Sequence, residues 1–261
     1  MNLDFTLDKF RELCAVISNS GYEVLTIRKF IKSVKKPDYF IIIRHDIDEN
    51  ISLALRMAEI EKEYGIHSTY YVRMVNSVFN PAIIKRIAGM GHEIGYHYEV
   101  IDKAKGDKKK AIKIFKKELA MLREVCDVDT ICMHGNPRTH WDNKSLWNDY
   151  DFKDYGIIGE AYLSIDFKNV LYLSDTGRSW RIKYKIKDVP NSVYGRDILE
   201  KIRTTNDVIE LIEQKKVDRI YMLIHPRWAD NLGEWLKEFV WQNIKNIMKV
   251  RIFKNKTIEK E

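Results

Sequence analysis

The sequence predicts an α/β fold built on a parallel sheet. Short apolar runs of strand length alternate with segments whose apolar residues recur at helical spacing. Those intervening segments are long enough to carry the chain back across a sheet, as parallel pairing requires. Ionisable residues follow the apolar runs, and a β/α barrel and an open doubly wound sheet both place function at the ends of their strands. The alternation alone is compatible with either architecture.

Thr6 to Ser20 predicts a helix, closed by Gly21 as a left-handed cap, and a short segment runs through Ile31 to Pro37. Tyr39 to Arg44 predicts a buried strand. Asn50 to Tyr64 predicts an amphipathic helix with Leu53, Met57 and Ile60 on one face, and Ser68 to Met74 the next strand. Pro81 to Met90 has its proline where a first helical turn tolerates it, and Glu93 to Tyr96 is a short strand. A long helix is expected from Asp107 to Val125, then strands at Asp129 to Met133 and Val170 to Ser174. A helix at Thr205 to Lys215, a strand at Arg219 to Ile224 and a helix at Trp235 to Met248 complete the series.

A chain of 261 residues that is 45% hydrophobic and 11% aromatic can bury a large core, and disorder is excluded on composition. No low-complexity segment, repeat or Pro/Gly/Ser linker divides it, so one domain over residues 1–261 is expected. Cys14, Cys126 and Cys132 form no CxxC pair and point to buried thiols rather than to disulfides or a cysteine zinc site. "MNLDFTLDKF" has no basic region followed by an apolar one, and nothing approaches the roughly 18 apolar residues of a membrane span. A cytoplasmic location is expected. The formal net charge of +7 favours anionic partners. Its densest patch, Lys103 to Lys117, reads first as the solvated face of a helix, ahead of contact with nucleic acid or a membrane surface.

One stretch resists a purely structural reading. "IIIRHDID", Ile41 to Asp48, runs from a buried strand straight into four ionisable side chains. Extended geometry puts Arg44, Asp46 and Asp48 on one face and His45 on the other. Two carboxylates that share a pocket need a cation between them, either a metal or Arg44. His97, His134, Asp175 and His225 follow later strands, so five strands deliver ionisable groups to one rim. Any one of these is ordinary at a strand end near water; the coincidence of five is not.

"RHDID", "GHEIGYH", "MHGNP" and "YMLIHP", in this order, resemble the motif series of the polysaccharide deacetylases, carbohydrate esterase family 4, over about Tyr39 to Trp228. The resemblance is greatest to a divergent branch found in surface-polysaccharide biosynthesis. It implies a distorted β/α barrel with fewer than the usual eight strands, about seven, and here an added N-terminal helical segment. It further implies a hydrolase that removes an acetyl group from an amino sugar or polysaccharide precursor through a divalent metal, zinc first, with manganese or magnesium as alternatives. Nucleotide-linked or lipid-linked saccharides are the expected substrates.

Carried over residue by residue, the resemblance makes Asp46 the general base and Asp48 a metal ligand, with Ile47 separating a pair that is adjacent in the family. His97 becomes a second ligand. Ile101 stands where the family has a further histidine, which leaves His134 or Glu99 as the third; His92 and His67 lie toward the other ends of their strands. His134 also stands where the family has an arginine that orients the base, a role open to Arg44 or Arg178. Asp175 and Trp180 match the fourth motif, and His225 the general acid of the fifth. His134, Arg178, Trp180 and Trp228 are the expected substrate contacts. Loss of the second histidine and the arginine keeps two other readings open, a decayed site serving in carbohydrate binding or as a complex subunit, and a metal-independent hydrolase.

Overall fold

The structure, a computed structural model, describes residues 3–136, 139–180 and 194–244. Among them eight parallel strands form one sheet: β1 (Glu23–Leu25), β2 (Phe40–Ile47), β3 (Thr69–Arg73), β4 (Glu93–Tyr98), β5 (Thr130–Met133), β6 (Gly159–Glu160), β7 (Leu171–Ser174) and β8 (Arg219–Ile224). Seven follow the order β6-β5-β4-β3-β2-β8-β7. β1 pairs with Phe40 to Ile42, on the edge of β2 that β3 takes over from Arg44 onward. The seven strands curl into a half-barrel with helices around it, the distorted β/α barrel expected from sequence.

The helices are α1 (Leu7–Asn19), α2 (Ile27–Lys32), α3 (Ile51–Glu63), α4 (Pro81–Gly89), α5 (Val100–Lys103), α6 (Lys108–Arg123), α7 (Arg196–Leu199) and α8 (Thr205–Glu213), and residues 232–244 are also helical. Side-chain caps set most of their starts. Thr6, Asn50, Asn80 and Asp107 each accept a hydrogen bond from the backbone N–H three residues on, and Thr204 and Asp207 form a reciprocal capping box. Of the helix expected at Trp235 to Met248, residues 245–248 lie outside the described residues.

Alternation along β2 separates two interiors. Phe40 and Ile42 face inward into a cluster with Tyr71, Cys132, Tyr172, Tyr221 and Leu223. Ile41 and Ile43 face outward against α1 and α8, and Ile47 joins the cluster under α3, α4 and α6. The strand was expected to end at Arg44 but continues to Ile47, all of it buried. It can do so because each charged residue in that stretch meets a partner on its own face. Gly95 on β4 is required by the inner packing: a Cβ there would lie 2.2 Å from the Tyr71 ring.

On the outer face His45 donates from Nε2 to Glu61 of α3 (2.8 Å) and stacks on Tyr70, with ring centroids 4.4 Å apart. Ser68 and Tyr70 donate to the other Glu61 oxygen at 2.5 and 2.8 Å. Burial works against the Glu61 charge, yet His45, then His92 and the Ser68 hydroxyl, hold its pKa below the usual value. The stabilisation from this carboxylate is therefore fully present above a pH of about 4.3 and is lost as the pH falls through the lowered folded-state value. Glu61→Gln should cost about 3 kcal/mol near neutral pH. Thermal unfolding followed by circular dichroism should show the gap from wild type closing below a pH of about 4.

Candidate metal centre

Strand register explains how residues far apart in sequence meet. Asp46 pairs with Tyr71, and Tyr71 with Gly95; one inward step higher, Arg73 pairs with His97, and His97 with Cys132. Asp48 lies two residues past Asp46 and His134 two past Cys132, so both continue the inward face at the C-terminal rim. Asp175 and His225 follow β7 and β8, whose pairing closes the same rim from the other side.

Arg44 is fully buried and holds Asp46 through two parallel hydrogen bonds, Nε to Oδ1 at 2.8 Å and Nη2 to Oδ2 at 2.6 Å. Its remaining donors reach the hydroxyls of Tyr221 and Tyr162, and the Tyr162 ring lies 4.4 Å from the guanidinium. Burial opposes ionisation of Asp46, but Arg44 and then His97 hold its carboxyl below the usual range. Asp46 is thus a carboxylate fixed in place, with His97 Nε2 at 3.7 Å.

Asp48 is held differently. Its Oδ1 lies 3.2 Å from His134 Nδ1 and 3.5 Å from His97 Nε2, and the two imidazole nitrogens are 3.3 Å apart. Despite these distances Oδ1 is a buried atom with no hydrogen bond. His97 Nδ1 lies 3.0 Å from the Cys132 carbonyl, which only accepts, so Nδ1 carries a proton and Nε2 is the ring nitrogen turned toward Asp48. A tetrahedral ion with ligands at about 2.0–2.1 Å has ligand-to-ligand edges of about 3.3–3.4 Å. The three edges here match that triangle, and the donor set of two imidazoles and a carboxylate fits a divalent transition metal. Asp46, His97 and Cys132 form a second such group, but there the Arg44 guanidinium already neutralises the carboxylate.

Around this triangle, burial disfavours the Asp48 charge while His134, His97 and His225 hold its carboxyl well below the usual range. Burial likewise disfavours the His134 cation, and Asp48 outweighs it and raises its pKa. His225 hangs from Asp175, with Nδ1 donating at 2.7 Å, and the same carboxylate accepts the His225 backbone N–H and the Trp228 indole N–H at 3.1 Å. That arrangement aims His225 Nε2 at Asp48 Oδ2, 4.0 Å away. Burial opposes the imidazolium, and Asp175 followed by Asp48 raises its pKa above the ordinary value.

Several expectations need correction. Trp180 and Trp228 are 0% exposed and packed together with Phe5, so neither indole offers a face to a substrate. Trp228 braces Asp175 instead, and Trp180 donates to Thr205. Glu99 is engaged by cations of the chain, with Arg73 bound to it at 2.6 Å and Lys103 at 3.5 Å, and it stands outside the group formed by Asp48, His97 and His134. Arg178, as an alternative orienter of Asp46, contacts the Arg227 carbonyl and the rings of Phe5 and Trp235, and Arg44 occupies that place. His92 lies under α3, bonded to Ala58 and Ser68. Arg227 was missed: it donates to Asp48 Oδ2 at 3.1 Å. "IHPR" carried the signal, an arginine two residues beyond His225.

No protein-family model and no curated protein matches the chain. Among solved structures it is similar to PdaA of Bacillus subtilis, a family 4 carbohydrate esterase, at 14% identity and a TM-score of 0.35, over 87% of this chain and 77% of that one. The chemistry of the site rests on its own geometry.

Removing Arg44 leaves Asp46 buried without a counter-charge, so Arg44→Ala should destabilise the fold by about 3–5 kcal/mol. Trp228→Phe keeps the packing and loses one donor to Asp175, and should cost about 1 kcal/mol. Urea unfolding of both variants beside wild type measures the contrast.

Proposed function

We propose that this chain is a metal-dependent hydrolase of the polysaccharide deacetylase type, which removes an acetyl group from an amino sugar or polysaccharide precursor. The observation that carries the reading is the triangle of Asp48 Oδ1, His97 Nε2 and His134 Nδ1, with edges of 3.2–3.5 Å around an unbonded buried oxygen. Asp48, His97 and His134 would hold the cation, and zinc suits this donor set better than magnesium. Bound there, it supplies Lewis acidity toward an acyl oxygen and toward water.

The chain's own residues divide the remaining work. Asp46, with both oxygens engaged by Arg44, is a fixed acceptor for the proton that attacking water must lose. Its orientation, rather than its basicity, is what Arg44 supplies. His225 stands across the triangle with its Nδ1 proton on Asp175, leaving Nε2 to deliver a proton to the departing amine. Arg227 steadies the outer oxygen of Asp48. The acetylated sugar itself follows from the motif resemblance, and an anionic nucleotide-linked or lipid-linked precursor is consistent with a net charge of +7.

Elemental analysis of purified protein should find near-equimolar divalent metal, zinc foremost, and an Asp48→Ala, His97→Ala double variant should lose it. His134→Ala should bind it more weakly. Asp46→Asn and His225→Ala should keep the metal while acetate release from acetylated amino-sugar nucleotides falls by about 10²-fold or more. A wild-type chain that stays empty after incubation with zinc, manganese and magnesium would remove the mechanism.

A further inference from the structure

His134 has less regular structure behind it than His97, which lies within β4. β5 ends at Met133, and residues 134–136 belong to no helix or strand. A side chain meant to share an ion must nevertheless be held to within about 0.5 Å of its place. Two backbone hydrogen bonds fix His134. Its N–H donates to the Tyr98 carbonyl at 2.8 Å, which carries the alignment of β4 and β5 one residue further. Beyond Tyr98 the chain turns through Glu99 into α5, and the His134 carbonyl accepts instead from Asn143 Nδ2 at 2.9 Å.

Asn143 is 1% exposed and opens a 3-10 turn, Asn143–Asn148. The same side chain grips the segment that follows His97. α5 starts without a side-chain cap of its own, because Glu99 at the capping position is engaged by Arg73 and Lys103. Asn143 Oδ1 supplies that cap from another part of the chain, accepting from the Ile101 N–H at 2.9 Å and the Asp102 N–H at 3.4 Å. Its second amide proton goes to Asp102 Oδ2 at 2.7 Å. The partners fix which end of the amide is which: the His134 carbonyl and the Asp102 carboxylate accept, and the Ile101 N–H donates.

We infer that Asn143 is a positioning residue of the candidate metal centre: a single amide that ties the strand end carrying His97 to the backbone of His134, and so sets the spacing of the two imidazole nitrogens. The inference rests on the reading of the site given above. The side chain of Ile101 is buried in the core, and what that position contributes to the site is its backbone N–H, through Asn143. No residue of similar size reproduces these contacts. Aspartate would turn an oxygen onto the His134 carbonyl and the Asp102 carboxylate, and leucine would leave the Ile101 N–H and the His134 carbonyl without this partner.

The test uses the full chain, stripped of metal by a chelator. Zinc affinity is measured by competition with a chromogenic chelator, and the visible spectrum of the cobalt(II) form is recorded, since its intensity and band positions report the number and arrangement of ligands. Both are read at a temperature where circular dichroism shows each variant folded. Asn143→Asp and Asn143→Leu should each bind zinc about 10–100-fold more weakly than wild type, with a changed cobalt spectrum. Where neither folds, Asp102→Ala, which frees one of the two amide protons, should show a smaller fall in the same direction. Wild-type affinity and an unchanged cobalt spectrum in the folded variants overturn the inference and leave the metal centre standing, even where thermal stability is lost, because Asn143 would then serve the fold alone. A wild-type chain that takes up neither zinc nor cobalt removes the centre itself, and the role of Asn143 with it.

Discussion

The buried pair of Arg44 and Asp46 is the constraint around which the inner face is arranged. Both residues come from one strand, two positions apart, so the strand's own pleat points them the same way and leaves them to neutralise each other. Neither charge has water to turn to. The inner wall answers with hydroxyls from Tyr221 and Tyr162 and with the Tyr162 ring stacked against the guanidinium. With those contacts made, β2 runs through its charged segment without fraying and delivers Asp48 to the rim. Without them the strand would have to end at Ile43, and the rim would lose its first carboxylate.

The two carboxylates of "DID" consequently end up in different chemical states despite matching sequence environments. Asp46 has each of its oxygens held by one hydrogen bond from a cation supplied by the chain. Asp48 has one oxygen on Arg227 and the other facing two imidazole nitrogens with no hydrogen bond. The first is satisfied and rigid; the second is a set of donors converging on a point. Like charges placed this close require such a division, because two unpaired carboxylates in one pocket would drive one another to protonation.

Much of this was legible in the sequence. Strand and helix alternation, the helix starts at Thr6, Asn50, Pro81 and Asp107, and the inward face shared by Arg44, Asp46 and Asp48 all follow from local patterns that the fold respects. Short elements escaped: β1 has three residues and β6 two, too few for any periodicity to register. Partners set by tertiary packing escaped as well. Nothing near Glu99 says that Arg73 will claim it, and nothing in "SDTGRSW" distinguishes an indole that meets a sugar from one sealed against Phe5 and Trp228. Tryptophan beside a functional motif carries the same letters whether it lines the site or braces it.

The outward network of His45 and Glu61 has a consequence for how β2 finds its place. Arg44 and His45 are neighbours in the chain, yet each belongs to a separate buried charge group on opposite sides of the sheet. Displacing β2 by a single residue against β3 and β8 would send each into the other's compartment, guanidinium against Glu61 and imidazole among the tyrosines. A purely aliphatic strand tolerates such slippage at modest cost, whereas this one would part the buried Arg44, Asp46 and Glu61 charges from their partners at once. The polar stretch thereby acts as a key for alignment, and the pairing that makes the candidate metal centre possible is also the pairing that β2 cannot easily leave.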